Sequence, residues 1–153
     1  NFDENNNLSV SFPKYYRFYE RRNFERIDPF IPIKVEFLTS NVKVVKDCFD
    51  ISVGGFSLVF SKTESVPLTL GDEIKEVKVT RILDSHLSQA IVVNVLKLKP
   101  FMLENCPYGG TRVSFKFDKP SEQLVSAILA VINGQKKLLG DLTHNWFITN
   151  TPR

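Results

Sequence analysis

Short segments of alternating apolar and polar residues, separated by turn signals, constrain the fold of this chain more than any other feature. Within residues 33–37 and 111–117 every second residue is apolar, which is typical of strands with one buried face. Glycine-containing turns separate the segments, for example at Gly54-Gly55 and Gly71-Asp72. The pattern predicts an all-β, six-stranded antiparallel sandwich or barrel, with strands near residues 33–37, 42–51, 56–60, 74–82, 89–98 and 111–117.

The residues after the last strand predict one amphipathic helix. Ser121 is a favourable N-cap, and Glu122 in the first turn complements the helix dipole. Apolar residues then recur at three- and four-residue steps, at Leu124, Ile128, Val131 and Ile132. Asn133-Gly134 is a typical stop signal, so we expect the helix to end there, with another helical turn within residues 135–142.

Composition fits a single globular domain with no membrane span. The chain has 153 residues, of which 42% are hydrophobic and 24% charged, close to the globular average. No apolar run approaches the ~20 residues that a membrane-spanning helix needs, and no signal segment opens the chain. We therefore expect a cytoplasmic protein. The first residue is Asn1 rather than methionine, so we also expect a fragment of a larger protein.

A basic and aromatic segment lies before the first strand. Residues 14–26 hold five basic and two acidic residues, a difference of +3 that equals the net charge of the whole chain, together with five aromatic residues. Such a mixture can bind single-stranded nucleic acid, which is one hypothesis for this chain. The charge outside the segment is balanced, and +3 is mild, so nucleic acid is not the partner that we favour.

Known catalytic and metal-binding motifs are absent from the sequence. Residues 55–59 fail the Gly-x-Ser-x-Gly pattern at the last position, and no phosphate-binding glycine loop or His-x-x-x-His pair occurs. The two cysteines, Cys48 and Cys106, are too few for a disulfide framework, and with only two histidines a zinc site is not indicated. Cys48 lies in a strand pattern, where thiols are usually inert packing residues. The sequence predicts neither a catalytic residue nor a metal ligand.

Two short motifs carry groups suited to an anionic, guanine-containing ligand. Arg22 and Arg26 offer planar guanidinium groups that match phosphate oxygens and the O6/N7 edge of guanine. Asp50 and Ser52 share one face of an extended chain, and a carboxylate can accept from the two parallel N–H donors of guanine. Gly55 permits close approach of a ligand or supplies positive φ. Taken separately, the arginine pair is better explained as a solvated helix face and the Asp50 motif as a hairpin turn.

Together the two motifs resemble the PilZ domain family. The family pattern is Arg-x-x-x-Arg, then two to three dozen residues, then Asp/Asn-x-Ser-x-x-Gly. Arg22 and Arg26 match the first part, and Asp50, Ser52 and Gly55 match the second after 23 residues. The resemblance implies a six-stranded PilZ-like β-barrel with a C-terminal helix that binds cyclic di-GMP, a bacterial second messenger. It also implies that the arginines hold phosphates and guanine edges and that the Asp50 motif, with Gly54 and Gly55 in its turn, reads a guanine.

The same resemblance predicts how the chain is organised and how it acts. We expect a flexible lead-in at residues 1–18, the PilZ-like domain at 19–133 and an unassigned extension at 134–153. Arg21 precedes the first motif arginine, where the family suggests two intercalated ligands rather than one, although a simple surface arginine is an equal alternative. We expect ligand binding to reorient the N-terminal segment toward a protein partner or an upstream domain. The alternative is a degenerate PilZ-like interaction module that does not bind nucleotide.

Overall fold

One antiparallel sheet followed by one helix forms the described part of this computed structural model, residues 23–104 and 106–150, with side chains described up to residue 142. The elements are β1 (Lys34–Thr39), β2 (Val42–Asp47), β3 (Asp50–Ser52), β4 (Gly55–Ser61), β5 (Glu73–Arg81), β6 (Asp84–Leu98), β7 (Gly110–Asp118) and α1 (Glu122–Asn150). This confirms the expected antiparallel β architecture with a C-terminal helix. Arg21, Arg22 and the predicted lead-in lie outside the described residues.

The order of the strands shows why the sheet curls. Hydrogen-bonded neighbours run β2-β1-β5-β6-β7-β4-β3, so β2 and β3 form the two edges. Only Cys48 and Phe49 connect these edges. The Cys48 N–H donates to Ile33 O (2.8 Å), beside β1, and the Phe49 N–H donates to Ser57 O (2.8 Å) on β4. Because a two-residue link joins opposite edges, the sheet must bend into a half-barrel that brings them together.

The prediction of six strands is wrong, since the described residues contain seven. Residues 42–51 were expected to form one strand, but the chain pairs with β1 through Asp47 and with β4 from Asp50 onward. Val44 and Cys48 are buried before this change and Ile51 after it, so the buried positions shift by one residue here, which one continuous alternating strand does not predict. In addition, β6 begins at Asp84 rather than at residue 89, because its first half pairs with β5 and its second half with β7.

The core lies between the concave side of the sheet and α1. Phe56 and Phe115 stack at its centre, with ring centroids 4.5 Å apart. The predicted N-cap is confirmed, since Ser121 Oγ accepts a hydrogen bond from the Leu124 N–H at 3.2 Å. The predicted apolar stripe of α1, Leu124, Ile128, Val131 and Ile132, is buried. The helix therefore closes the core by packing against β3 and β6.

The expected end of the helix at Asn133-Gly134 is wrong, because α1 continues without interruption to Asn150. Glycine inside a helix costs only about 1 kcal/mol relative to alanine. The surrounding sequence is rich in good helix formers such as Lys136, Lys137 and Leu138, which offset that cost. The division of the chain between residues 133 and 134 stays a prediction.

The segment before β1 is attached to the sheet and to the helix. Ile27 and Ile51 exchange two backbone N–H···O bonds, both 3.0 Å, which add this segment to the free edge of β3. Farther along, Gln135 Nε2 donates to Asp28 O (2.6 Å) and Gln135 Oε1 accepts from the Phe30 N–H (3.1 Å). The segment is thus held between β3 and α1. No helix among the described residues is long and apolar enough to cross a membrane.

Candidate ligand-binding site

The predicted Asp50 motif occupies edge strand β3 and the turn into β4. Ile51 points into the core and is fully buried, so Asp50 and Ser52 lie on the opposite, outer face. Val53 and Gly54 form the two-residue turn, because Ser52 pairs with Gly55. The alternation expected from the sequence therefore holds, and Asp50 reaches the convex face of the sheet.

Asp50 is the centre of a small polar cluster on that face. Its Oδ1 accepts a hydrogen bond from Ser57 Oγ at 2.8 Å, and its Oδ2 is paired with Nη2 of Arg112. Arg112 Nε donates to the same Ser57 Oγ at 3.2 Å. The guanidinium also lies 4.9 Å from the centroid of the Phe49 ring, a cation–π distance. These contacts fix the carboxylate from two sides. We call Asp50, Ser57 and Arg112 the Asp50 cluster.

The structure brings one arginine of the first motif to the Asp50 cluster. The backbone bridge between Ile27 and Ile51 places Arg26 beside Asp50, and Arg26 Nη1 lies 3.9 Å from Asp50 Oδ2. The Arg26 side chain is 31% exposed and that of Asp50 is 14% exposed. The contact is long for an ion pair, so the Arg26 guanidinium remains accessible to a second anion. Arg21 and Arg22 lie outside the described residues.

Arg112 is the residue that the sequence reasoning missed. It lies on β7, 62 residues after Asp50 in the sequence. Because β4 pairs with both β7 and β3, the Arg112 side chain can reach across β4 to Asp50. The alternation of β7 correctly indicates that Arg112 faces outward, opposite Val113 and Phe115. What the sequence lacks is the strand order, without which an outward arginine has no identifiable neighbour.

A row of polar residues extends from Asp50 across four strands. Direct cross-strand pairs share one face of a sheet, and the registers pair Asp50 with Ser57, Ser57 with Ser114, and Ser114 with Asn94. A bulge between Val92 and Asn94 shifts β6 by one residue and so aligns Asn94 with this row. Ser57 and Ser114 are buried within this row, so the outer face presents the exposed Asn94 amide and the partly exposed Asp50 carboxylate beside two guanidinium groups.

Both motif glycines are required by close packing. A Cβ on Gly55 would lie 2.0 Å from Phe115 O on β7, and a Cβ on Gly54 would lie 2.6 Å from a ring carbon of Phe24. Gly55 does not have positive φ, so that part of the expectation is wrong. Its role is to let β4 approach β7, while Gly54 lets the pre-barrel segment lie close to the turn.

Ser52 and Cys48 are both withdrawn from solvent. The Ser52 hydroxyl is buried and donates to Gly55 O at 3.2 Å, which closes the turn between β3 and β4. Burial raises the pKa of the Cys48 thiol well above its usual range, and the nearby carboxylates of Asp50 and Asp47 raise it further. The thiol stays protonated at neutral pH, so Cys48 is a packing residue.

No cluster of three or more potential metal ligands occurs in the described ranges.

Comparison with known proteins decides the family. The family model for the PilZ domain matches residues 20–134. The chain belongs to the PilZ domain family. This confirms the resemblance carried by Arg22, Arg26, Asp50, Ser52 and Gly55. A search of curated proteins finds no match.

Solved structures show the same fold at low sequence identity. The PilZ domain of YcgR from Escherichia coli, with c-di-GMP, is 17% identical and has a TM-score of 0.65 over 82% of this chain and 98% of that one. MrkH of K. pneumonia in its c-di-GMP complex is 17% identical, with a TM-score of 0.58 over 86% of this chain and 57% of that one. For the longer YcgR chain in complex with c-di-GMP the match covers 82% and 50%, with 16% identity and a TM-score of 0.64. The PilZ chain described here thus spans about half the length of these longer proteins.

Proposed function

We propose that this PilZ domain is a receptor for cyclic di-GMP and has no catalytic role. The observation that carries the proposal is the meeting of Arg26 with the Asp50 cluster on the outer face of the sheet. The two motifs of this site come from separate parts of the sequence, and the backbone bridge between Ile27 and Ile51 holds Arg26 beside Asp50. Structures of the related YcgR PilZ domain and of MrkH are described with c-di-GMP, which supports the same ligand here.

The charges of the site suit a ligand with two phosphates and two guanines. Arg112 neutralises Asp50, so the carboxylate does not repel an approaching anion. Arg26 then supplies a guanidinium for a phosphate or for a guanine O6/N7 edge, and Arg22, four residues earlier in the sequence, is proposed to do the same. Asp50 is held in place to accept from guanine N1–H and N2–H₂.

The motif residues on β3 and its turn have different proposed roles. Asp50 contacts the base, whereas the buried hydroxyl of Ser52 holds the turn on which the base rests. Gly55 lets β4 approach β7 and Gly54 leaves room for the Phe24 ring, so both glycines support the shape of the turn. Asn94 is the exposed polar residue at the far end of the row, next to the buried Ser114.

We propose that ligand binding reorients the N-terminal segment. Arg21 and Arg22 precede Arg26 by only a few residues, so binding of their guanidinium groups would draw the segment over the sheet. That movement would relay the signal to a protein partner or to an upstream domain. Arg21 decides the stoichiometry in this proposal, with two intercalated ligands if it contacts a guanine and one if it is a surface residue. The expected cytoplasmic location stays a prediction.

The alternative function is a protein-interaction module of PilZ fold that does not bind nucleotide. One observation favours it: both Asp50 oxygens and the Ser52 hydroxyl already have partners within the chain. In that case the Asp50 cluster is a structural device that fastens β3 to β4 and β7. Arg26 would then be an ordinary surface arginine.

Calorimetric titration of the whole chain with cyclic di-GMP, with GTP as the control ligand, tests the proposal. Saturable binding of cyclic di-GMP alone is the expected result. A stoichiometry near two ligands per chain, falling to one in Arg21→Ala, would assign Arg21 to a second ligand, while one per chain would make it a bystander. Absence of binding, confirmed by equilibrium dialysis with the labelled nucleotide, would favour the interaction module.

A further inference from the structure

Helix α1 carries its apolar stripe beyond the sheet that the stripe covers. Leu142 follows Leu124 by 18 residues, which is about five full turns, so the two side chains lie in line on one face. Leu138 lies on the same face, one turn before Leu142. Leu124 is buried against the sheet, whereas Leu138 is 50% exposed and Leu142 is 56% exposed. We call Leu138 and Leu142 the distal stripe.

The opposite face of the same turns is polar. Lys137 is exposed and lies away from the distal stripe in a helix of 3.6 residues per turn, whereas the exposed Asp141, three residues after Leu138, borders the stripe. An amphipathic helix of this kind gains stability when its apolar side is covered. Burial of a leucine side chain contributes about 1.5–3 kcal/mol. The distal stripe is therefore a surface suited to an apolar partner.

The chain that precedes the sheet meets α1 where the distal stripe begins. Lys136 Nζ pairs with Glu25 Oε2 at 2.6 Å, and Gln135 bonds to the backbone of Asp28 and Phe30. Residues upstream of Glu25 therefore start within one helical turn of Leu138. A segment of nine residues, 14–22, can extend about 30 Å, whereas the helix from residue 136 to 142 rises only about 9 Å.

We propose that the distal stripe is the docking surface for residues 14–22 of the same chain. This segment brings four aromatic side chains to an aliphatic surface: Tyr15, Tyr16, Phe18 and Tyr19. It also carries four basic residues and one acidic residue, a net charge of +3. Among the described side chains of α1, Asp141 is the one acidic group that borders the stripe. Contact between aromatic and aliphatic side chains is therefore the main term that favours this placement.

This docking would hold the segment that carries Arg21 and Arg22 against α1. Their use as ligand contacts rests on the proposed function, but the docking itself needs no nucleotide. It can therefore fail or succeed independently of cyclic di-GMP binding.

Hydrogen–deuterium exchange on the whole chain without nucleotide tests the docking. The variant is Leu138→Ala/Leu142→Ala, which shortens the stripe and keeps a strong helix former at both positions. The control is Lys137→Ala on the polar face. We expect the amides of residues 14–22 to exchange at least about tenfold slower than in a free peptide of the same sequence, and to lose that protection only in the double variant. Amides of residues 134–142 should remain protected in all three proteins, which shows that the turns carrying the stripe remain helical.

Three results would overturn the proposal. The amides of residues 14–22 could exchange at the peptide rate in the unaltered chain, or their protection could survive the double substitution. The third result would be a dimer, detected by light scattering, that the double substitution dissociates. The distal stripe would then be a contact between two copies of the chain.

Discussion

Loss of the Arg112 guanidinium should lower the free energy of unfolding, because the Asp50 cluster depends on this group. Arg112→Gln removes the charged partner of Asp50 Oδ2, the hydrogen bond to Ser57 Oγ and the contact with the Phe49 ring. The Asp50 side chain, only 14% exposed, then keeps Ser57 at 2.8 Å and Arg26 at 3.9 Å as its remaining partners. The carboxylate is left partly buried and only partly compensated.

The size of the effect follows from these contacts. A hydrogen bond to a charged group contributes about 1.5–3 kcal/mol, and an exposed cation–π contact about 0.5–1 kcal/mol. Removing one partner of a fully buried ion pair costs about 3–5 kcal/mol, but Arg112 is 25% exposed and Arg26 can move closer, so the lower range applies. We expect Arg112→Gln to lower the free energy of unfolding by about 2 kcal/mol.

A double-mutant cycle by urea unfolding at pH 7 measures the coupling. The cycle combines Arg112→Gln with Asp50→Asn, and the control is Lys116→Gln, an exposed residue on the same strand, which should change stability by less than about 0.5 kcal/mol. Because the two residues share one interaction, the double variant should lose at least about 1 kcal/mol less than the sum of the single losses. Additivity within about 0.5 kcal/mol would refute the idea that Arg112 acts through Asp50.

Three further predictions follow from individual contacts. Gly55→Ala should destabilise the chain by more than about 3 kcal/mol in urea unfolding, because its Cβ would overlap Phe115 O. Gly134 has open space around it, so Gly134→Ala should stabilise α1 by up to about 1 kcal/mol. Equal effects of the two substitutions would contradict this role of Gly55. Gly54→Ala should weaken the attachment of the pre-barrel segment, measured as faster amide exchange at Ile27, since the new methyl group would meet the Phe24 ring. Unchanged exchange would exclude that contact.

The pH dependence of one surface ion pair can also be predicted. The hydrogen bond from Lys46 Nζ and that from the Ser61 N–H lower the pKa of Glu64. Its stabilisation is therefore present above the unfolded-state pKa of about 4.3 and is lost as the pH falls through the folded value. Because the pair is exposed, Glu64→Gln should lower stability by only about 0.5 kcal/mol at pH 7 and by nothing near pH 2. A larger loss at pH 2 than at pH 7 would contradict the sign.

The alternation of apolar and polar residues predicted most of the strands and the helix, because it shows which face of each element is buried. The alternation in β1 and β7 and the stripe from Leu124 to Ile132 record which side chains are buried, and that information lies within each segment. The split between β2 and β3 is different, since it depends on a change of pairing partner at Cys48-Phe49. The buried positions shift there from Val44 and Cys48 to Ile51, but the pairing partners that cause the shift lie on other strands.

The same distinction explains which part of the candidate site the sequence revealed. Arg26, Asp50 and the glycines belong to short motifs with recognisable spacing, so the family resemblance identified them. Arg112 and Asn94 reach the site through strand order and a β-bulge, which are properties of the assembled sheet. The length of α1 was missed for another reason, because Gly134 is a stop signal only when the residues after it do not favour a helix.

Calorimetric titration of Arg26→Ala with cyclic di-GMP tests the central proposal most directly, since Arg26 is the motif arginine that the structure brings to Asp50. The matched control is Lys137→Ala, an exposed lysine on α1 away from the Asp50 cluster. We expect Arg26→Ala to weaken binding at least about 30-fold with no loss of secondary structure, and Lys137→Ala to bind like the unaltered chain. Equal affinity in all three proteins would contradict the assignment of the ligand site to Arg26 and the Asp50 cluster.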